Sequence, residues 1–183
     1  MVLAPLVAAC ETAVPARTFP EISFAHQPPI NLDVASVEVE NKPETPSGPG
    51  AVVHELPVTL SSVAERWARE RLKPLGTRGT AIVRIEKASV IEEKLKKTEG
   101  IRGAFVTDQT ERYVGELQMS VTIADDRGQA TARVEARRAR SVAEDASLAD
   151  REKLWFELVE HIARETDAVF EQQIRAHLTS YLR

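Results

Sequence analysis

The feature that most constrains this chain is one long helical segment near its C-terminal end. From Ser147 to Tyr181 the sequence contains neither glycine nor proline, and at 3.6 residues per turn this segment would form about nine helical turns. Asp150 lies three positions after Ser147, which is the spacing of a capping box. Side chains that recur at three- and four-residue steps share one face: Trp155, Leu158, Val159, Ile162, Thr166 and Val169. A sheet or a second helix must cover that face.

The pattern of this helix changes toward its C-terminal end. Gln173 falls on the Trp155 face, whereas Ile174 and Leu178 are rotated away from it. A helix of roughly 35 residues extends to about 50 Å, well beyond the roughly 20 Å of a typical strand. We therefore expect residues 154–169 to pack on a sheet and the distal part to contact a partner protein or the N-terminal segment. The residues predicted to make that contact are Ile174, Leu178 and Tyr181.

The sequence upstream of the helix contains several strand patterns. Residues 31–40 alternate apolar and polar side chains with one change of phase, which a bulge would accommodate. Residues 80–90 are rich in β-branched side chains. Residues 117–123 alternate regularly, residues 125–128 have the composition of a turn, and residues 130–136 alternate alanine or valine with polar side chains. The last three segments together predict a β-hairpin.

A first helix is predicted between the first two strand segments. Pro74 and Gly76 would end it, and Thr59 or Ser61 would cap it. Its buried face follows helical spacing: Leu60, Val63, Ala64, Trp67 and Arg71. The order of elements, with hairpin-linked strands, predicts an α+β fold. We expect a largely antiparallel four-stranded sheet with two helices on one face, the C-terminal helix being the longer.

The N-terminal part of the chain differs in composition from the rest. Residues 1–9 are uncharged and mostly apolar, and the sole cysteine, Cys10, follows them. We interpret residues 1–9 as part of a signal peptide, residues 10–30 as an extended, proline-rich tether, and residues 31–183 as a single domain. In an alternative arrangement, three apolar side chains of the tether pack across the domain surface: Phe19, Ile22 and Phe24.

Two further segments are candidates for contacts outside the domain. Ile101 and Phe105 lie in a glycine-containing tip, where they either enter lipid or a partner groove, or fold back onto the sheet. The arginines at the end of the hairpin either meet an anionic head group or pair with nearby acids such as Glu144 and Asp145: Arg133, Arg137, Arg138 and Arg140.

Composition and motifs argue against several classes of function. The 24 basic and 28 acidic residues give a net charge of -4, which argues against nucleic acid as a partner because phosphate contacts need a basic face. Asp125 and Asp126 are neighbouring carboxylates, but their place before Arg127 and Gly128 is explained by turn chemistry. The four histidines have no partner at metal-ligand spacing: His26, His54, His161 and His177. We expect no enzyme activity, no metal and no cofactor.

The end of the apolar leader resembles a known processing signal. The residues Val7, Ala8, Ala9 and Cys10 resemble the lipobox of bacterial lipoproteins. In that family, small residues let the signal peptidase reach the bond before a cysteine that carries the lipid. The resemblance implies lipidation of Cys10. A free cysteine at the N-terminus is the alternative.

The leader and the predicted layout together resemble small envelope lipoproteins. Examples are the auxiliary lipoprotein subunits of lipid-moving ABC transporters and the lipopolysaccharide-assembly lipoprotein. The resemblance implies a non-catalytic periplasmic protein, anchored in a membrane, the outer rather than the inner one. Such a protein would be an adaptor with an envelope protein, and also lipid, as partner. Two alternatives remain: a periplasmic carrier that holds a lipid between sheet and long helix, and a soluble cytoplasmic interaction domain.

Overall fold

The computed structural model describes residues 18–44, 50–95, 109–143 and 145–183. Within these residues the strands and helices follow in this order: β1 (Ile30–Leu32), β2 (Ser36–Glu44), α1 (Leu60–Arg71), β3 (Leu72–Pro74), β4 (Thr80–Lys94), β5 (Gln109–Asp125), β6 (Gly128–Ala143) and α2 (Leu148–His177). A short 3₁₀ helix, Thr179–Tyr181, follows α2.

The main sheet has four strands in the order β2-β4-β5-β6. β4, β5 and β6 pair antiparallel, whereas β2 pairs parallel to β4 because α1 lies in the connection between them. β1 and β3 form a separate two-stranded parallel sheet. Both helices contact the main sheet and each other. The predicted α+β class, with a largely antiparallel sheet, two helices and a long C-terminal helix, is confirmed.

The two helices begin where the sequence indicates. The Thr59 side chain accepts a hydrogen bond from the backbone N–H of Ser62 and caps α1. Ser147 and Asp150 form the predicted capping box of α2. The prediction for residues 31–40 is wrong, because they do not form one bulged strand. The change of phase marks residues 33–35, where the chain leaves the small sheet and enters the main one.

Small residues let α2 lie close to the sheet. Ala132 and Ala136 of β6 are both buried beneath it. A Cβ atom at Gly115 of β5 would lie 2.5 Å from Cδ1 of Ile162 in α2. Real carbon atoms essentially never approach so closely. The absence of a side chain at Gly115 therefore sets the distance between β5 and α2.

The expected division of the C-terminal helix into a sheet-packed half and a partner-facing half is wrong. The expectation assumed strands of ordinary length, but β5 has 17 residues and at about 3.3 Å per residue spans roughly 56 Å. α2 has 30 residues and at 1.5 Å per residue spans about 45 Å. The main sheet is therefore long enough to accompany the whole helix.

The three residues assigned to a partner contact are instead buried within the chain. Ile174 and Leu178 are 0% exposed and Tyr181 is 3% exposed. The buried face of α2 passes through Phe170, while Val169 is 36% exposed. This face turns along the helix because α1 joins the sheet as a packing partner near the C-terminal end of α2.

The face of the sheet opposite the helices is polar. Its side chains bind one another across neighbouring strands: Ser36 with Thr80 at 2.9 Å, Arg84 with Glu40 at 2.6 Å, Ser120 with Glu86 at 2.6 Å, and Thr122 with Thr131 at 3.1 Å. Such pairs suit a sheet with one solvated face. The helices therefore cover the apolar face and leave the polar one open.

Candidate functional site

Arg71, the last residue of α1, is a buried cation that joins three parts of the chain. Its side chain is 0% exposed. Nε donates to Oδ1 of Asp167 at 2.7 Å, Nη2 binds the carboxylate of Glu171, and Nη1 donates to the backbone carbonyl of Pro28. The guanidinium carries its donors in a fixed fork, so one side chain can satisfy all three acceptors. Arg71 therefore fastens both α2 and the N-terminal segment to α1.

The two acids that bind Arg71, Asp167 and Glu171, are four residues apart on α2 and therefore lie on the same face of the helix. Oδ1 of Asp167 also accepts a hydrogen bond from Nε1 of Trp67 at 2.9 Å. Burial alone would raise the pKa of Glu171, but the hydrogen bond from Arg175 and the charge of Arg71 outweigh burial and lower the pKa. Glu171 is therefore ionised at neutral pH and binds Arg71 as a carboxylate.

Residues 18–29, which we name the N-terminal strap, lie across the two helices. Phe24 is 4% exposed and belongs to the core, and its backbone N–H donates to the carboxylate of Glu70 on α1. The ring of Phe19 stacks on that of Phe156 of α2, with centroids 5.1 Å apart. The described part of the expected tether is thus fixed on the domain. The packed arrangement is observed for all three apolar side chains: Phe19, Ile22 and Phe24.

A groove of about 500 Å³ lies between the N-terminal strap and α2. Phe156 contributes apolar surface to it, and Glu160 and Arg164, which pair at 3.0 Å, contribute charge. Further residues complete the lining: Pro20, Glu21, Ile22, Ser23, Phe24, His26, Gln27, Asp167 and Ala168. The lining is therefore mixed, and among its acids Asp167 is already bound by Arg71 at 2.7 Å.

The space between the sheet and the helices is filled by side chains. A void lined by Phe24, Trp67, Met119 and Thr166 is too small to hold a water molecule. An acyl chain needs a far larger chamber. In this conformation the described residues therefore offer no room for the lipid that the carrier hypothesis places there.

A second charged cluster closes the C-terminal end of the fold. Arg127, at the tip of the β5–β6 hairpin, binds Asp33 at 2.9 Å and Asp125 at 2.7 Å. Its guanidinium lies 4.3 Å from the ring centroid of Tyr181, whose hydroxyl donates to Oδ1 of Asp125 at 3.0 Å. Arg183 binds Asp33 at 2.6 Å. Tyr181 is therefore an internal contact of the C-terminus and not a partner contact.

The cluster shifts the titration of its acids. The hydrogen bond from Arg127 holds the pKa of Asp33 below its ordinary value, and it does the same for Asp125. Asp125 and Asp33 in turn raise the pKa of Arg127. Asp125 also accepts a hydrogen bond from the backbone N–H of Arg127 at 2.8 Å, which is the turn chemistry expected of this carboxylate.

Buried aromatic side chains and an ion pair occupy the opposite end of the domain. Tyr113 of β5 is 1% exposed and meets the ring of Trp155 edge to face at 5.4 Å. Its hydroxyl donates to Glu111 at 3.0 Å and accepts from Arg151 at 3.0 Å. Burial raises the pKa of Tyr113 to about 12. This phenol is therefore neutral at physiological pH and serves packing.

The arginines of β6 divide between the two faces of the sheet. Arg137 lies on the open polar face with Arg133. Arg138 lies on the helix side, where its Nε is 2.8 Å from Oε2 of Glu165. Pairing with an acid was expected, but this acid lies in the middle of α2. Glu144 lies outside the described residues.

The histidines and acids of the described residues do not converge. Groups of three or more potential metal ligands are not found among residues 18–44, 50–95, 109–143 and 145–183. All four histidines are exposed: His26, His54, His161 and His177. Over the same residues, no helix is long and apolar enough to cross a bilayer.

The structure describes three of the contact residues predicted from the sequence. Ile174, Leu178 and Tyr181 are buried, while Cys10, Ile101 and Phe105 lie outside the described residues. Sequence reasoning placed Arg71 on the buried face of α1 but missed its partners. The signal was available, since a cation at a core position needs acids nearby, and Asp167 and Glu171 have the spacing of one helical turn.

Comparison with known proteins identifies no family. No protein-family model matches the chain, and no curated protein sequence is significantly similar to it. Among solved structures, rare lipoprotein B from Shewanella oneidensis is similar with a TM-score of 0.41 and 12% sequence identity, over 77% of this chain and 95% of that chain. A likeness at this level carries no conclusion about function.

Proposed function

We propose that this chain is a bacterial envelope lipoprotein, anchored in a membrane through a lipid on Cys10. It would act as a non-catalytic adaptor in cell-envelope assembly or lipid transport. The observation that carries the proposal is the position of the sole cysteine, directly after Ala8 and Ala9 at the end of an apolar leader.

The N-terminal strap adds a geometric constraint to this proposal. Phe19 of the strap stacks on α2, so eight residues, 11–18, separate a lipid on Cys10 from this contact with the domain. Eight residues span at most about 28 Å, whereas a free tether to residue 30 would span up to about 70 Å. A lipid-anchored domain would therefore stay close to the bilayer, with its helical side nearer to the membrane than its open sheet face.

Metabolic labelling with an alkyne fatty acid tests the anchor. The full-length protein is expressed in a bacterial host beside its Cys10→Ser variant, and lipid is detected on the purified chains. We expect label on the first and none on the second, because the chain has no other cysteine. Absence of label, or label that survives Cys10→Ser, would contradict the proposal. Fractionation then separates the envelope assignment from a cytoplasmic one.

Mass spectrometry of lipids extracted from the purified protein tests the role as adaptor against that of carrier. An adaptor should yield the covalent anchor and no stoichiometric free lipid. A stoichiometric free lipid that remains in the Cys10→Ser protein would favour the carrier instead.

A further inference from the structure

A basic pocket of about 390 Å³ lies between the edge strand β6 and α2. Four residues line it: Arg138, Ala139, Arg140 and His161. Arg138 and Arg140 carry guanidinium donors, His161 carries an imidazole, and none of the four residues carries a carboxylate. The pocket is separate from the groove beneath the N-terminal strap, with which it shares no lining residue.

Arg138 and His161 of this pocket contact neighbouring groups, whereas Arg140 extends into solvent. Arg138 is held by Glu165 at 2.8 Å, which fixes one guanidinium at the wall. Nδ1 of His161 lies 2.7 Å from the backbone carbonyl oxygen of Glu157. A carbonyl only accepts, so Nδ1 carries the hydrogen, and in the neutral ring Nε2 is left as an acceptor for the O–H of a protonated phosphate. Arg140 is exposed and has no ion-pair partner among the residues that the structure describes.

We propose that this pocket binds the phosphate group of a ligand. Two guanidinium groups present paired donors that match phosphate oxygens. The volume admits a phosphate with a small substituent, and the charged lining favours leaving an apolar chain outside. The whole chain has a net charge of -4, so attraction of an anion must come from such a local site and not from the overall field.

Two sources carry this chemistry: a soluble phosphorylated compound, and the head group of an anionic phospholipid. Both present the same phosphate oxygens to Arg138 and Arg140. The proposal requires no lipid on Cys10, so it stands or falls separately from the proposed anchor.

The test uses the full chain with Cys10→Ser, so that no anchor contributes to binding. Titration calorimetry with glycerol 3-phosphate addresses the soluble source. Co-sedimentation with phosphatidylcholine vesicles, with and without one quarter phosphatidylglycerol, addresses the head group. Arg140→Ala is compared with Arg137→Ala, which removes an exposed arginine of the same strand from the opposite face of the sheet. Circular dichroism checks that both variants fold.

We expect Arg140→Ala to weaken binding about tenfold, the usual effect of losing a charge-assisted hydrogen bond, and Arg137→Ala to leave it within about twofold. This pattern with glycerol 3-phosphate assigns a soluble ligand, and the same pattern with the anionic vesicles alone assigns a head group. Binding to neither probe, or equal loss in the two variants, would overturn the proposal. Vesicle binding that does not depend on phosphatidylglycerol counts as no binding to that probe.

Discussion

The rings of Trp67 and Phe170 stack with their centroids 4.7 Å apart, and this contact joins α1 to the second half of α2. It places the indole N–H of Trp67 within 2.9 Å of Asp167, which in turn binds Arg71. An apolar contact and a buried ion pair therefore lie side by side between the two helices. This arrangement covers the buried face of the C-terminal half of α2.

Replacing Arg71 should destabilise the fold strongly. Arg71→Ala leaves Asp167 and Glu171 without their cation and the carbonyl of Pro28 without its donor. We expect a loss of about 3 kcal/mol in the free energy of unfolding, measured by urea denaturation. Arg69→Ala, on the same helix but with a 62% exposed side chain, should change it by less than about 0.5 kcal/mol. Similar losses in both variants would show that Arg71 has no special role.

Substitutions at Gly115 should reveal how closely α2 approaches the sheet. Gly115→Ala places a methyl group 2.5 Å from Cδ1 of Ile162 and should cost about 1 to 3 kcal/mol. Ile162→Val removes that Cδ1 atom and should cost about 1 kcal/mol alone. The double variant should be more stable than the sum of the two losses predicts, because the second change makes room for the first. Simple additivity would contradict the proposed contact.

The cluster around Arg127 predicts a dependence of stability on acid pH. The pKa values of Asp33 and Asp125 are lower in the folded protein than the ordinary value of 3.8. Their contribution is therefore present above that value and is lost as the pH falls below it toward the folded pKa values. Arg127→Met should flatten the decline of the Tm below about pH 4.

Arg78→Met provides the control for this prediction. Arg78 pairs with Asp126 in the same region, but the two side chains are 74% and 66% exposed. Exposed pairs contribute little, so the Tm of this variant should follow the wild-type pH profile. A flattened profile in Arg78→Met, or an unchanged one in Arg127→Met, would argue against the cluster.

The N-terminal strap should be released by one substitution in its centre. Phe24→Ala removes a core side chain that is 4% exposed and should cost about 3 kcal/mol. We expect faster amide hydrogen exchange and earlier proteolysis in residues 18–29. Phe19→Ala, at the outer end, should affect only that end. Strap protection that survives Phe24→Ala would mean that the contacts with Phe156, Glu70 and Arg71 hold the segment without the Phe24 ring.

Local sequence patterns predict much of this fold. Contacts between residues that are far apart in the sequence are not predicted by such patterns. The capping box at Ser147 and the alternation of residues 117–123 depend on neighbours in sequence, so both elements were found. The length of β5 was not, because its pairing continues through Gly115 to Gln109, where alternation no longer marks the strand. Strands of ordinary length would leave Ile174 uncovered, which is why the sequence predicts a partner contact there, whereas the residue is buried within the chain.

The candidate sites show the same limit. Lipidation of Cys10 is predicted from a contiguous pattern, the lipobox, and stays a prediction. The pocket at Arg140 exists only where β6 and α2 lie side by side. The hydrogen bond from Arg71 to the carbonyl of Pro28 joins residues that are 43 positions apart. Neither contact produces a periodic pattern in the sequence, because each depends on a single charged side chain.

The fastening of the strap also defines how the domain would bear a mechanical load. If the chain is anchored at Cys10, tension enters at residue 18 and meets the Phe19 stack first, then Phe24 and the bond from Arg71 to Pro28, and only then β1. The force acts on these contacts one after another, so each contact can break separately. The strap could lengthen under strain while the paired strands behind it keep their register.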